Sequence, residues 1–176
     1  MLSLFTVLSL AAVPPAAPDC AALAQALPRD MFVDARGVSV AATGDMPTYC
    51  HIRGTIRPSI GFDMRLPTTA WNGNYYVAGC GGFCGQMTPE TPGYANGITA
   101  AVRRGYAAIH TDSGHPGPSQ DYADWAPGNR EALELYAHGW LPRAHAAGSA
   151  IIQRYYARGP RYNYFVGCSN GGRMAL

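Results

Sequence analysis

The sequence predicts an α/β fold in which an incomplete, mostly parallel sheet has helices on both faces and an antiparallel N-terminal edge. Short runs of strand formers alternate with helical patterns, which is typical of a parallel sheet between helices. Two alternating segments, 49–56 and 60–66, are joined by Arg57-Pro58 and predict the antiparallel edge. Of the 176 residues, 48% are apolar and only 14% are charged, which indicates a packed core.

The expected elements can be placed along the whole chain. In order, they are a helix over 20–27, strands over 49–56, 60–66 and 75–78, a helix end over 97–104, a strand over 106–110, a helical stretch over 133–155 and a strand over 162–166. The last three strands are apolar enough to predict burial. Asn129 is a candidate cap for the helical stretch, and Pro142 should kink it or begin a second helix. Segment 28–48 has little regular pattern.

The N-terminus has the pattern of a signal peptide, assigned to residues 1–17. Residues 2–13 are almost wholly apolar, and small residues follow at Ala16 and Ala17, although no Lys or Arg precedes the apolar run. The run is too short to span a bilayer. We therefore expect a secreted or periplasmic protein whose domain is residues 18–176, with no membrane span. The alternative is a buried N-terminal strand or helix.

The charge pattern argues against nucleic acid as a partner. The formal net charge is +2, and no cluster of Lys or Arg occurs.

Five cysteines are present, so one must lack a partner within this chain. Export favours disulfides, whereas a cytosolic protein would keep all five thiols reduced. Cys20 and Cys50 flank the weakly patterned segment, and we expect them to pair. Cys80 and Cys84 lie four apart in a glycine-rich loop, where a small bridge is sterically allowed but not required. No spacing of Cys and His is typical of a zinc site, and we expect no metal in this chain.

The segment Gly167-Cys168-Ser169-Asn170-Gly171 fits the Gly-x-Ser-x-Gly pattern of a nucleophile elbow. Strand formers precede it and helix formers follow it. A sharp strand-to-helix turn strains the serine backbone and raises its Oγ above the sheet, and bulky neighbours would collide across the turn. The sequence therefore predicts an α/β-hydrolase fold with Ser169 as the nucleophile. The alternative is an ordinary glycine-rich turn.

A second glycine-rich loop, 79–82, directly follows the strand predicted over 75–78. In this fold the corresponding loop supplies one donor to the oxyanion hole, and the residue after the serine supplies the other. We therefore expect the backbone N–H of Gly81 or Gly82, together with that of Asn170, to bind the oxyanion. The alternative is a tight turn without a catalytic role.

The acids and imidazoles that could complete a triad all precede Ser169, whereas in this fold they follow the serine. The candidates are His110, Asp112, His115, Asp121 and Asp124. We expect Asp112 and His115 to brace loops through hydrogen bonds. The seven residues after Ser169 include neither an acid nor a histidine. The general base and its carboxylate are thus expected outside this chain, which alone should be nearly inactive.

The ending Tyr-Phe-Val-Gly-Cys-Ser-Asn-Gly-Gly-Arg, at 164–173, resembles the elbow of the tannase/feruloyl esterase family, whose members read Gly-Cys-Ser-x-Gly-Gly. Further stretches that agree in order and spacing are 71–73, 81–83, 111–115 and 155–156. The resemblance covers about residues 20–176. It implies a secreted serine ester hydrolase whose partner is a small aromatic ester, such as a feruloyl or galloyl ester.

The resemblance also implies features that lie outside this chain. Cys168 would pair with a cysteine beside the catalytic histidine, beyond Leu176. Members of the family carry a lid domain, often with a structural calcium. The chain would then be the N-terminal part of the catalytic domain, without cofactor, and later strands would cover one edge of its sheet. The alternative function is a non-catalytic secreted binding domain, or a decayed remnant that keeps the elbow as a turn.

Overall fold

The computed structural model describes residues 19–91 and 95–176, so the predicted signal peptide lies outside the described residues. The strands are β1 (Phe32–Val40), β2 (Tyr49–Ile56), β3 (Ile60–Pro67), β4 (Asn74–Ala78), β5 (Ala107–Thr111) and β6 (Tyr162–Val166). The helices are α1 (Cys20–Gln25), α2 (Thr99–Arg103), α3 (Arg130–Glu134), α4 (Trp140–Tyr156) and α5 (Asn170–Arg173). A π-helical turn, Leu135–Gly139, joins α3 to α4.

The six strands form one mixed sheet in the order β1–β2–β3–β5–β4–β6. The first three neighbouring pairs are antiparallel, whereas β4 lies between β5 and β6 and runs parallel to both. The prediction of an antiparallel N-terminal edge is confirmed. The prediction of a mostly parallel sheet is wrong for the described residues, because β1 adds an antiparallel pair and β3 also runs opposite to β5.

Strand β1 lies within the segment for which the sequence predicts no element. Its side chains are mostly exposed, including Val33 and Val38, and only Phe32 is buried. An edge strand with so little burial lacks the apolar alternation that identifies a strand from sequence. Helix α1 packs beside β1. A disulfide between Cys20 and Cys50, whose Cα atoms are 5.5 Å apart, joins α1 to β2.

Helices cover both faces of the sheet, as predicted. Tyr75, Val77 and Ile109 point toward the larger core, which contains side chains of α1 and α4. The alternate positions Tyr76 and Ala78 point to the opposite face and pack with α2. Within the described residues, no helix has both the length and the apolar character needed to cross a membrane.

The helical stretch that the sequence predicts is continuous, although it contains the π-helical turn. The Asn129 side chain caps α3 by accepting a hydrogen bond from the Ala132 N–H at 3.1 Å, as predicted. Pro142 lies in the first turn of α4, where a residue without an N–H disturbs a helix least.

The strands β4, β5 and β6 end at one edge of the sheet, because they run parallel. β5 is wholly buried, as predicted. The expected burial of β6 is wrong: Tyr162 and Tyr164 are exposed, since β6 has a neighbouring strand on only one side in this chain. The loops after these three strands therefore converge and carry the predicted site residues.

Candidate active site

Ser169 occupies the sharp junction between β6 and α5. Its backbone has φ 57° and ψ −123°, a conformation that residues with a side chain rarely adopt. The residue is exposed, and its side chain does not cap the helix that follows. The local backbone therefore holds the hydroxyl outward at the edge of the sheet, as a nucleophile elbow requires.

Glycines allow the end of β4 to approach this junction closely. The Gly79 N–H donates to the Val166 carbonyl at 2.8 Å and extends the pairing of β4 with β6. A Cβ atom on Gly79 would lie 2.8 Å from the Cα of Gly171, and one on Gly171 would lie 2.6 Å from Asn96 Oδ1. A side chain at Gly79 would force the turn apart, and one at Gly171 would displace the Asn96 amide.

The loop after β4 contacts the residue after Ser169. Cys80 and Cys84 are joined by a disulfide, with 5.3 Å between their Cα atoms. Asn170 Nδ2 lies 3.2 Å from Cys84 Sγ and 3.5 Å from the Cys80 carbonyl oxygen. Within residues 19–91 and 95–176, the backbone N–H groups of Gly81, Gly82 and Asn170 donate to no protein acceptor. The structure thus brings together the loop and the elbow, with these N–H groups unpaired.

Tyr136, in the π-helical turn, contacts both of these segments. Its hydroxyl lies 3.0 Å from Asn170 Oδ1 and 3.4 Å from the Gly82 carbonyl oxygen. Arg173 also donates to Asn170 Oδ1, at 2.8 Å, and its guanidinium lies 4.7 Å from the centre of the Tyr136 ring. In the sequence, Tyr136 fits the apolar spacing of the helical stretch predicted over 133–155, and that pattern gives no signal for this contact.

Asn96 is a second residue near the elbow that sequence reasoning misses. Its Oδ1 accepts from the Cys168 N–H at 3.2 Å, and its Nδ2 donates to the Cys168 carbonyl at 3.3 Å. The side-chain amide thus pairs with the N–H and the carbonyl of Cys168, the residue before Ser169, as a neighbouring strand would. A small cavity of about 130 Å³ lies beside this contact and is lined by Asn96, Gly81, Thr88 and Gln120, among others.

The loop after β5 contains two of the predicted bracing residues. Asp112 Oδ1 accepts hydrogen bonds from the N–H groups of Gly61 at 3.0 Å and Gly114 at 2.8 Å, which confirms its bracing role. Burial raises the pKa of Asp112 to about 6. The same role for His115 stays a prediction: its ring nitrogens face the backbone of Phe83 and Pro116, but within the described residues they form no hydrogen bond of good geometry. Its ring stacks on Trp125 at 3.6 Å.

The imidazoles of this loop are buried and neutral. His110 is fully buried near the end of β5, and its ring faces the backbone of Asn96. Burial lowers the pKa of His110 and of His115 to about 4. Asp121 and Asp124 are exposed. In residues 19–91 and 95–176, no hydrogen bond joins the Ser169 hydroxyl to an acid or a histidine.

In the part of the chain that the structure describes, no three side chains of His, Cys, Asp or Glu come together in a way that could hold a metal ion. Cys168, next to Ser169, is exposed and forms no disulfide within this chain.

Comparison with known proteins agrees with the site. The sequence profile of the family described as "Tannase and feruloyl esterase" matches residues 41–176, and the chain belongs to this family. An uncharacterized esterase of Xanthomonas campestris pv. campestris is 36% identical over 135 residues, which are 74% of this chain and 22% of the relative. The mono(2-hydroxyethyl) terephthalate hydrolase of Piscinibacter sakaiensis is 31% identical over 160 residues, which are 78% of this chain and 25% of the relative.

Solved structures show the same fold. A crystal structure of an esterase from Aspergillus oryzae aligns with a TM-score of 0.69 at 22% identity, over 88% of this chain and 33% of the other. Feruloyl esterase B from Aspergillus oryzae aligns with a TM-score of 0.61 at 21% identity, over 89% and 33% of the two chains. The chain spans about a quarter of the length of the two relatives named above.

Proposed function

We propose that this chain supplies the nucleophile and the oxyanion hole of a secreted serine carboxylic ester hydrolase with an α/β-hydrolase fold. The observation that carries the proposal is the backbone of Ser169, which is held at φ 57° in a turn between a strand and a helix. Because such a conformation costs on the order of 1–3 kcal/mol, it persists where surrounding contacts enforce it. Those contacts are the close approach of Gly79 and Gly171 and the paired amide of Asn96.

In this mechanism the Ser169 Oγ attacks the ester carbonyl carbon while a histidine takes its proton. The carbonyl oxygen becomes an oxyanion and accepts hydrogen bonds from the N–H groups of Asn170 and of Gly81 or Gly82. The alcohol then leaves with the proton from the histidine, and water hydrolyses the acyl-enzyme. In the part of the chain that the structure describes, the three N–H groups donate to no protein acceptor, so their donation to an oxyanion breaks no bond seen there.

We propose that the histidine and its carboxylate lie beyond Leu176. His110 and His115 are unsuitable as bases, because both are buried and neither is hydrogen-bonded to Ser169. Residues 1–17 would then be a signal peptide, and residues 18–176 would form the N-terminal part of the catalytic domain. The two disulfides support an oxidising compartment, which is consistent with export.

For the substrate we propose an ester of an aromatic acid. One relative is named for hydrolysis of mono(2-hydroxyethyl) terephthalate, and feruloyl esterase B of Aspergillus niger, 31% identical over 104 residues, is named for a feruloyl ester. The latter match covers 59% of this chain and 18% of the relative. Both names denote esters in which the acyl group carries an aromatic ring.

The test is the Ser169→Ala substitution in the full-length protein. We expect kcat for methyl ferulate to fall by at least about 10³-fold, because the nucleophile is lost. Labelling by a fluorophosphonate should also disappear. The matched control is Ser39→Ala, which removes an exposed hydroxyl on β1, at the opposite edge of the sheet. This control should keep both properties.

Undiminished turnover by Ser169→Ala would contradict the assignment of the nucleophile. A parent protein that neither hydrolyses the ester nor reacts with the fluorophosphonate would favour a binding domain or a remnant.

A further inference from the structure

One side chain links the two backbone segments that are proposed to form the oxyanion hole. The Tyr136 hydroxyl lies 3.0 Å from Asn170 Oδ1, on the elbow, and 3.4 Å from the carbonyl oxygen of Gly82, on the loop after β4. Both neighbours are acceptors, so the single hydroxyl proton is given to the nearer Asn170 or shared between the two. The hydroxyl therefore fixes the distance between the residues whose N–H groups must converge.

We propose that Tyr136 is a positioning residue that aligns the oxyanion hole. This inference rests on the proposed function of Ser169 and Asn170. An oxyanion hole is effective when its donors are held in place before the reaction, because no energy is then spent on reorienting them. The hydroxyl of Tyr136 touches the side chain of one donor residue and the carbonyl of another, without occupying either N–H.

The ring of Tyr136 is itself held in place. The guanidinium of Arg173 covers it at 4.7 Å, and the rings of Trp125 and His115 lie at 5.2 and 5.9 Å. Arg173 also donates to the carbonyl groups of Tyr136 and Ala137, at 3.2 and 3.3 Å. A tyrosine fixed at its ring and backbone can transmit its position to the groups that its hydroxyl contacts.

The π-helical turn explains how this tyrosine reaches the site. The Trp140 N–H donates to the Leu135 carbonyl, five residues earlier, as in a π-helix. Such turns interrupt the regular helical spacing and occur frequently at functional sites. Here the turn directs Tyr136 toward the elbow, while Leu135 and Trp140 stay in the core.

The test is Tyr136→Phe in the full-length protein, which removes the hydroxyl and keeps the stacked ring. We expect kcat for 4-nitrophenyl acetate to fall about 10-fold, less than the 10²–10³-fold that follows loss of a direct oxyanion donor. KM should stay within about twofold. The inhibition constant of phenylboronic acid, whose tetrahedral adduct with serine places an oxygen in the oxyanion hole, should rise by a factor similar to the fall in kcat.

The matched control is Tyr156→Phe. That hydroxyl also donates to a backbone carbonyl, of Pro67 at 2.8 Å, and its ring is also stacked, on Trp71 at 3.8 Å. Trp71 lies just before β4, whereas the oxyanion loop follows β4, so this control is at the opposite end of the sheet. Tyr156→Phe should leave kcat and the boronate inhibition constant within about twofold of the parent.

A Tyr136→Phe variant that matches Tyr156→Phe in both measurements would overturn the inference. Melting temperatures show whether both variants are folded. If Tyr136→Phe is unfolded, Trp125→Leu tests the same link, because it removes a ring that lies 5.2 Å from the ring of Tyr136 and changes no side chain that bonds Asn170. A lower kcat at constant KM would support the inference, and an unchanged kcat would overturn it. Ser169→Ala tests the proposed nucleophile separately. A failure of the proposed function is therefore distinguishable from a failure of the inference about Tyr136.

Discussion

The two disulfides close loops of very different lengths at different distances from the site. Cys20 and Cys50 are 30 residues apart, and Cys80 and Cys84 are four apart. The entropy lost by the unfolded chain gives a stabilisation of about 3.5 kcal/mol for the long loop and about 2 kcal/mol for the short one. Replacing the first pair with alanine should therefore lower the free energy of unfolding more than replacing the second.

The effect on activity should have the opposite order. The Cys80–Cys84 bridge closes the loop that carries Gly81 and Gly82, and Cys84 Sγ lies 3.2 Å from Asn170 Nδ2. Without the bridge, the donors must be ordered during the reaction, and kcat should fall about 10-fold. The Cys20–Cys50 bridge joins α1 to β2, on the far side of the sheet, and its removal should leave kcat within about twofold at a temperature where the protein is folded.

Both effects can be measured on two double-alanine variants of the full-length protein. Urea unfolding gives the free energy of unfolding, and turnover of 4-nitrophenyl acetate gives kcat. The loop-length argument is refuted if the Cys20–Cys50 variant is destabilised less than the Cys80–Cys84 variant. The preorganisation argument is refuted if the Cys80–Cys84 variant keeps the kcat of the parent.

Two further predictions concern the buried titrating groups and the elbow. The first concerns stability between pH 4.5 and 6. His110 and His115 take up protons on unfolding, because their pKa values are lowered to about 4 in the folded protein. Asp112 releases a proton on unfolding, because its pKa is raised to about 6 in the folded protein. Because unfolding takes up about one proton in total, the free energy of unfolding should rise by about 1 kcal/mol for each unit by which the pH is raised. A free energy of unfolding, measured with urea, that does not change over this pH range would contradict the prediction. Gly79→Ala should lower kcat about 100-fold by displacing the turn, because its Cβ would lie 2.8 Å from the backbone of Gly171, whereas Gly159→Ala should not; equal kcat values would contradict the close-packing argument.

Most of the architecture could be predicted because its strands carry strong local signals. β5 is a short continuous run of buried residues, and α4 has apolar residues at helical spacing. Both signals can be recognised directly in the sequence. β1 and the exposure of β6 could not be predicted in this way. Both depend on which neighbours a strand has in the sheet, and that is a property of the tertiary structure.

The elbow could also be predicted, since Ser169 and its glycines are adjacent in sequence. The contacts that hold it could not, because Asn96 and Tyr136 are distant from Ser169 in sequence and reach it from a loop and from a helical turn. An Asn before a glycine usually indicates only a turn, and a Tyr at helical spacing usually indicates core. His115 shows a different limit: its polarity suggested a hydrogen bond, but nothing in the sequence indicated that its ring stacks on Trp125.

The π-helical turn has a consequence for how the gene can vary. Such a turn holds one residue more than the same length of α-helix, and each residue rotates the chain by about 100°. Deleting one residue from Leu135–Gly139 would therefore restore regular spacing and keep α3 and α4 in their present relative orientation, but it would redirect the side chains of the turn around the helix axis. Tyr136 would then leave the elbow without any substitution of a site residue. A single-codon deletion inside a helix could thus impair chemistry while leaving the fold in place.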